Sequence, residues 1–372
     1  MADPLKTFFS ASLVRRLAND VSRVHASFRA RAFIGDASRN LDALELLARA
    51  RQIADALAAH LPPSYPEAVG ILLASLGAEH AGDELVGAGM APLYYFPHTI
   101  FVATRGLDDF DVSMLAQYEL TKRFTAEASI RPFIAKYPGR TFDCLRGWAG
   151  DANPHVRRLV SEGTRLRLPW APRVAWLDEH PRAVLDLLEL LKDDPASLVR
   201  RSVANNLNDL GKVYPELLTG TCARWLDGAS DQRRALVEHA LRSAVKRGEP
   251  EALRLIGYGG KAAVAVEDVR FLPRRVAIGE RVSIAFTLRS RSRAAQELLV
   301  DLGVHFVKAS GRTSRKVFKV TRISLPAGGH AALSTSVSLA VHTTRVPQAG
   351  RHEVDVIVNG TAYPIGGFDV RR

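Results

Sequence analysis

The sequence predicts a mainly α chain: a HEAT-like helical-repeat solenoid over residues 1–258, followed by a basic immunoglobulin-like β-sandwich over residues 262–372. Three observations carry this expectation. A pattern of Asp, short polar turn, Arg-Arg and apolar helix occurs three times, in DANPHVRRLVSEG from Asp151, DPASLVRRSVANNL from Asp194 and DGASDQRRALVEHAL from Asp227. Apolar residues recur at helical spacing as far as about Tyr258 and at alternate positions beyond it. A glycine cluster, Gly257, Gly259 and Gly260, stands at the change and reads as a linker.

The helical half begins in segments such as ALELLARARQIADALAAHL, rich in helix formers, with Leu44, Leu47, Ala48 and Arg51 near helical spacing. Pro62-Pro63, Pro92, Pro97, Pro138 and Pro181 read as breaks between helices. The Arg pairs at 157–158, 200–201 and 233–234 lie about 43 and 33 residues apart, the length of paired-helix repeats. The leading Asp of each repeat is expected to cap its helix. Stacked repeats turn equivalent residues to one face. Val156, Leu159 and Val160, then Val199, Val203 and Leu207, are the expected core positions. The second Arg of each pair falls off that stripe, and four residues on stand Glu162, Asn205 and Glu238, with Asp209 four beyond Asn205. Arg158 with Glu162, and Arg201 with Asn205 and Asp209, are therefore expected on one line.

Past the glycines, Val282, Ile284, Phe286 and Leu288 alternate with polar residues, as a half-buried strand requires. Further strands are expected at 298–307, 316–324, 331–341 and 352–358, and about seven in all make an immunoglobulin-like sandwich. From residue 262 onward there are 17 Lys and Arg against 8 Asp and Glu, so most of the formal +12 charge lies in this last part. A basic chain favours polyanionic partners. Arg289, Arg291, Arg293, Arg312, Arg315, Lys316, Lys319 and Arg322 could track phosphates, or simply keep the surface soluble.

Other classes find little support. The longest apolar run, Ala68 to Ala78, is short of the roughly 18 residues that suggest a membrane span. The N-terminus does not read as a signal peptide, and Cys144 and Cys222 read as buried reduced thiols of a cytoplasmic protein. The eleven His residues show no paired metal spacing, so no metal or cofactor is expected. Gly87 and Gly89 lack the strand–loop–helix setting of a nucleotide loop.

Three stretches, FTAEASIRPFI (124–134), HVRRLVSEGTRLRLPWA (155–171) and LVRRSVANNLNDLGK (198–212), resemble the AlkD-like superfamily of alkylpurine DNA glycosylases, and the terminal sandwich points to its AlkC branch. The resemblance implies hydrolysis of the N-glycosidic bond of small cationic lesions, 3-methyladenine and 3-methylcytosine, in duplex DNA bent across the hollow face without full base flipping. It further implies an active site of Glu127, Glu162, Asp209 and Trp170, and a monomeric protein of the cytoplasm, associated with the nucleoid. A cationic base is already a good leaving group, so the task left is to stabilise an oxocarbenium-like sugar and supply water. Asp209 is expected to orient and deprotonate that water, Glu127 and Glu162 to stabilise positive charge, and Trp170 to face the cation. Arg157, Arg158, Arg165, Arg200, Arg201 and Lys212, with Arg289, Arg291, Arg315 and Lys316, are the expected DNA contacts.

Each site residue also has a bland reading. Glu127 could pair with Arg131, Glu162 with Arg158, Asp209 could be a polar helix-end residue, and Trp170 could be core filler like Trp148, Trp176 and Trp225. The rival functions are a non-enzymatic HEAT-repeat protein binding damaged or branched DNA, and a protein–protein scaffold.

Overall fold

The computed structural model describes residues 5–80, 91–342 and 346–371; Gly87 and Gly89 lie outside them. The described chain runs through α1 (Ala11–Val24), α2 (Ala30–Ala37), α3 (Leu46–His60), α4 (Tyr65–Ala74), α5 (Phe96–Arg105), α6 (Phe110–Thr121), α7 (Arg131–Lys136) and α8 (Pro138–Trp148). It continues through α9 (Pro154–Gly163), α10 (Ala175–Glu179), α11 (Pro181–Leu191), α12 (Ser197–Leu210), α13 (Pro215–Leu226), α14 (Asp231–Arg247) and α15 (Pro250–Leu255). Strands follow: β1 (Val264–Leu272), β2 (Arg275–Ala277), β3 (Arg281–Ser290), β4 (Gln296–Val307), β5 (Thr313–Leu325), β6 (His330–Ser338), β7 (Gly350–Val358) and β8 (Thr361–Arg371). This is a helical-repeat region followed by an immunoglobulin-like sandwich.

Local chemistry explains where the helices begin. In α1 the Ser10 hydroxyl accepts from the Leu13 amide, and Leu13, Val14, Leu17, Ala18 and Val21 form the buried stripe. Several prolines start helices: Pro97, Pro138, Pro154 and Pro181 sit in the first turn, where the missing N–H costs no hydrogen bond. The repeat aspartates do not cap. Asn153 accepts from the His155 amide at the head of α9, and Ser230 accepts from Arg233 at the head of α14. Asp151 and Asp194 stand two residues before the cap positions of α9 and α12 and accept the amides of Asn153 and Ala196, shaping the turn instead.

The repeat core is as the pattern predicts. Val156, Leu159, Val160, Val199, Val203 and Leu207 are all fully buried. The N-terminal helices close around a second apolar cluster running from Phe9 to Phe133. Of the two thiols, Cys222 is buried, and burial pushes its pKa up to about 12, whereas Cys144 is only half-buried.

The sandwich has a three-stranded sheet in the order β1-β3-β6 and a five-stranded sheet in the order β2-β8-β7-β4-β5. All pairs are antiparallel except β2 with β8. Val282, Ile284, Phe286 and Leu288 of β3 face Leu298, Val300, Leu302 and Val304 of β4 in one core. Strand β8 is not among the strands named from the sequence, and it carries Pro364, Gly366 and Gly367, residues unfavourable inside a strand. The strand accommodates them where its register with β7 shifts, between Val354 and Asp355.

By compactness the chain forms two units: one runs up to Tyr214 and includes Gly228–Ala240, the other holds Pro215–Asp227 and Leu241 onward. Within the second, the β7–β8 turn meets the α14–α15 turn backbone to backbone. A Cβ on Gly360 (φ +79°) would stand 2.6 Å from Leu253 Cδ1 and 3.1 Å from the Gly248 Cα. Among the described residues, no helix is long and apolar enough to cross a membrane.

Leu207→Ala removes a fully buried side chain from the α9–α12 packing. It is expected to destabilise the protein by about 2–5 kcal/mol, read from urea denaturation. A loss under about 1 kcal/mol would mean that the repeats do not pack through this stripe.

Candidate active site

Helices α9, α12 and α14 line a groove of about 870 Å³. Counting from the first residue of each helix explains which side chains reach it. The fifth and ninth residues are Arg158 and Glu162 on α9, Arg201 and Asn205 on α12, and Ala235 and His239 on α14, and all six line the groove. The sequence expectation of Glu238 as the third equivalent is corrected. In α9 and α12 the Arg pair begins at the fourth helical residue, but in α14 it begins at the third, so its face is turned by about 100°. His239 therefore takes the place, its Nε2 3.1 Å from Asn205 Oδ1, and Arg234 does not line the groove.

Glu127, Glu162 and Asp209 are strung together by cations. Glu127 lies in the turn before α7, where its carboxylate accepts from Thr125 Oγ1 and from Arg158 Nη2, both at 2.9 Å. Arg158 stands 3.9 Å from Glu162. Arg165 Nη1 donates to Glu162 Oε2 at 3.0 Å, while its Nε and Nη2 lie 2.9 and 2.8 Å from Asp209 Oδ2. Lys212 Nζ donates to Asp209 Oδ1 at 2.8 Å. The row reads Glu127, Arg158, Glu162, Arg165, Asp209, Lys212, with charge alternating throughout. Glu127 pairs with Arg158 and not with Arg131.

The middle of this row is out of water. The side chains of Glu162 and Asp209 are 6% and 2% exposed, against 42% for Lys212. Burial alone would lower the pKa of Arg165, but the charges of Glu162 and Asp209 outweigh it and raise the pKa. Two packing details hold the row in shape. Asn206 Nδ2 donates to Ser161 O and Thr164 Oγ1, tying α12 to the end of α9. Gly163 lets α9 lie against the Glu127 turn, since a Cβ there would stand 2.7 Å from Ile130 Cγ2.

The two arginines of each pair do different things. Arg157 grips Asp194 with Nε and Nη2 at 2.6 and 2.9 Å, and its Nη1 takes Asp151 O and Ala152 O. Arg200 donates to Asp194 O and Pro195 O, and Arg233 grips Asp193. The first arginine thus fastens loops between repeats, and Arg157 in particular is spent on a buried carboxylate. In the first two repeats the second arginine, Arg158 or Arg201, lines the groove, and Arg200 lines it as well while holding its loop.

Trp170 is 74% exposed and sits at φ +63°, a backbone region costing roughly 1–2 kcal/mol for a side chain with a Cβ. It is not core filler. Trp225 is buried, while Trp148 and Trp176 are half-buried. Leu166 and Leu168, in the same loop, are buried anchors. Arg131, offered by the sequence only as a partner for Glu127, instead has its guanidinium on the carbonyls of Gly163, Arg165 and Pro172 and so clasps both ends of that loop.

In the sandwich, the expected cations do not share one face. Arg289 lies on β3 and pairs with Glu267 at 2.9 Å, and Arg291 follows it, exposed. Arg315 and Lys316 are neighbours on the edge strand β5, so they point to opposite sides of the other sheet. Among the described residues, no group of three or more His, Cys, Asp or Glu side chains is placed to hold a metal ion.

Arg165→Met would leave two buried carboxylates without their shared cation. It is expected to cost about 3–5 kcal/mol of stability, measured by denaturant unfolding. An unchanged unfolding midpoint would show that the row is not a coupled unit.

The family described as "Uncharacterised protein YhaZ, C-terminal Ig-like domain" matches residues 265–372. The protein YhaZ of Bacillus subtilis is 33% identical over 372 residues, covering all of both chains. The alkylpurine DNA glycosylase AlkC of Pseudomonas fluorescens, solved bound to DNA containing an abasic site analogue, is 34% identical over all of both chains, with a TM-score of 0.91. With this full-length likeness in sequence and fold, the chain belongs to the AlkC branch of the AlkD-like family of alkylpurine DNA glycosylases.

Proposed function

We propose that this protein is a DNA glycosylase that hydrolyses the N-glycosidic bond of cationic alkylated bases, 3-methyladenine and 3-methylcytosine, in duplex DNA. The observation that carries the reading is the buried alternating row of Glu127, Glu162 and Asp209 with their arginines, at the edge of a groove in a chain that matches AlkC along its whole length. Such carboxylates favour a substrate that becomes or begins as a cation. The bond from C1′ to the ring nitrogen breaks, its electron pair leaves with the base and neutralises it, and positive charge passes to the sugar. Glu127 and Glu162 stabilise that charge. Asp209 orients the water that adds to C1′ and takes its proton. Trp170 offers a ring face to the cation, worth about 0.5–2 kcal/mol. A neutral base gains little from any of these groups.

The layout also supports a base read without full flipping. The groove is a trough between successive helices, with Glu162 in its lining and with Glu127 and Asp209 tied to Glu162 through Arg158 and Arg165. Arg158 and Arg201 would hold phosphates flanking the lesion, and the exposed cations of the sandwich would add to the attraction. The protein would act as a monomer in the cytoplasm, on the nucleoid. Arg157 and Arg200 contribute through the repeat junctions that they fasten.

Asp209→Asn is expected to bind an abasic-analogue duplex as the native protein does and to lose excision by roughly 10²–10⁴-fold. Mass spectrometry of bases released from methylated DNA checks both this and the rival reading as a non-enzymatic binder, in which no base is released by any form. Native excision by the variant would remove Asp209 from the chemistry. Arg201→Ala should lower the salt dependence of duplex binding by about one counterion without loss of stability. Arg157→Ala should leave that slope alone and cost about 3–5 kcal/mol of stability. Equal slopes for both variants would refute the division of labour within the Arg pairs.

A further inference from the structure

We propose that Arg131 is a positioning residue for Trp170: through the loop between α9 and α10 it fixes the exposed indole relative to the Glu162–Asp209 pair. This rests on the glycosylase reading. Arg131 opens α7 and is 1% exposed. Its guanidinium is spent on main-chain carbonyls: Nη1 donates to Gly163 O at 3.0 Å and Arg165 O at 2.8 Å, and Nε donates to Pro172 O at 3.0 Å. Burial drives its pKa down to about 10, an effect that Asp178 opposes and that Arg165 and Arg167 reinforce. A buried cation among like charges is an expensive way to close a loop. What it supplies is a rigid planar fork reaching carbonyls from two chain ends at once, which the single ammonium of lysine cannot match.

The three carbonyls are informative. Gly163 follows Glu162. Arg165 is the residue whose own side chain holds Glu162 and Asp209. Pro172 lies two residues past Trp170. One guanidinium thus joins the segment that sets the carboxylates to the segment that presents the ring. Between the clasped ends, Leu166 and Leu168 are sunk into the core and Arg167 donates to Asp178 at 2.7 Å, while Trp170 stands out at 74% exposure. An indole meant to meet a cationic nucleoside at a set distance from two carboxylates must be held before the nucleoside arrives, because a misplacement of about 1 Å can cost 10²-fold in rate.

The test is a double-mutant cycle on the full chain with Arg131→Met, Arg131→Lys and Trp170→Ala, read by single-turnover release of 3-methyladenine from methylated duplex DNA. Each Arg131 variant should slow release by roughly 10- to 100-fold, with binding to an abasic-analogue duplex held within about threefold. Combined with Trp170→Ala, it should slow release no further than Trp170→Ala alone. Losses that multiply, a parallel fall in duplex binding, or full activity in Arg131→Lys would overturn the proposal. Should Arg131→Met fail to fold, the Arg131→Lys cycle decides. Should the native protein release no base, the glycosylase reading falls, and iodide quenching of the mostly exposed Trp170 decides the positioning alone. A change in its accessibility in Arg131→Lys supports the clasp, and an unchanged quenching constant overturns it.

Discussion

Arg165 lies between Glu162 and Asp209, within 3.0 Å of each, with all three side chains largely out of water. Two carboxylates left alone in so dry a place would repel each other and each would lose its hydration. One guanidinium, donating through separate nitrogens, compensates both. Its position is then dictated from both sides, so α9, which carries Glu162, and α12, which carries Asp209, cannot slide past each other without breaking the pair. The rest of the site is built on that fixed spacing. Asn206 locks the end of α9, Gly163 makes room for Ile130, and the turn behind Ile130 delivers Glu127 to Arg158.

The parts of this arrangement legible in the sequence are those set by helical phase alone. Val156, Leu159 and Val160 had to face inward if Arg158 and Glu162 faced out, and the same spacing in α12 placed Arg201 and Asn205. The third repeat broke the inference because its helix starts one residue closer to its Arg pair, and helix starts are the least certain feature of a sequence reading. The role of the first arginine was not legible, because Arg157 and Arg233 are satisfied by aspartates about 40 residues away. Arg131 reads in the sequence as a partner for Glu127 for a similar reason: its true partners are carbonyls, which every residue carries, so no side-chain pattern announces them. Strand β8 went unnamed; it carries Pro364 and its glycines, whose fit depends on a register shift that only the neighbouring strand defines.

Charge counting served the sandwich less well than helical phase served the repeats. The excess of Lys and Arg is real, but part of it lies on β5, an edge strand, where cations also discourage pairing with another sheet. Arg289 is answered by Glu267. A residue's contribution to a binding face depends on the side of the sheet from which it projects, and alternation sends adjacent Arg315 and Lys316 to opposite sides. A net charge of one sign is therefore a property of the domain, whereas a contact surface is a property of a few positions within it.

Exposure along the acidic row adds a constraint on how such a site can work. Asp209 is 2% exposed and both its oxygens are engaged, one by Arg165 and the other by Lys212. Releasing Arg165 would strand two buried carboxylates, so it is the partner least able to leave. Lys212, 42% exposed, is the partner that withdraws more readily, because water replaces Asp209 around its ammonium while Arg165 still holds the carboxylate. Toward the opposite end Arg158, 19% exposed, holds the more open Glu127 and would give up that ion pair to turn toward an incoming phosphate. On the proposed reading, the row thus exchanges partners at its two ends while its centre stays fixed, and water reaches Asp209 from the Lys212 side. The resting site is close to neutral. A cationic substrate would then gain less by long-range attraction than by taking the place of Lys212 or Arg158 beside a carboxylate whose geometry is already set.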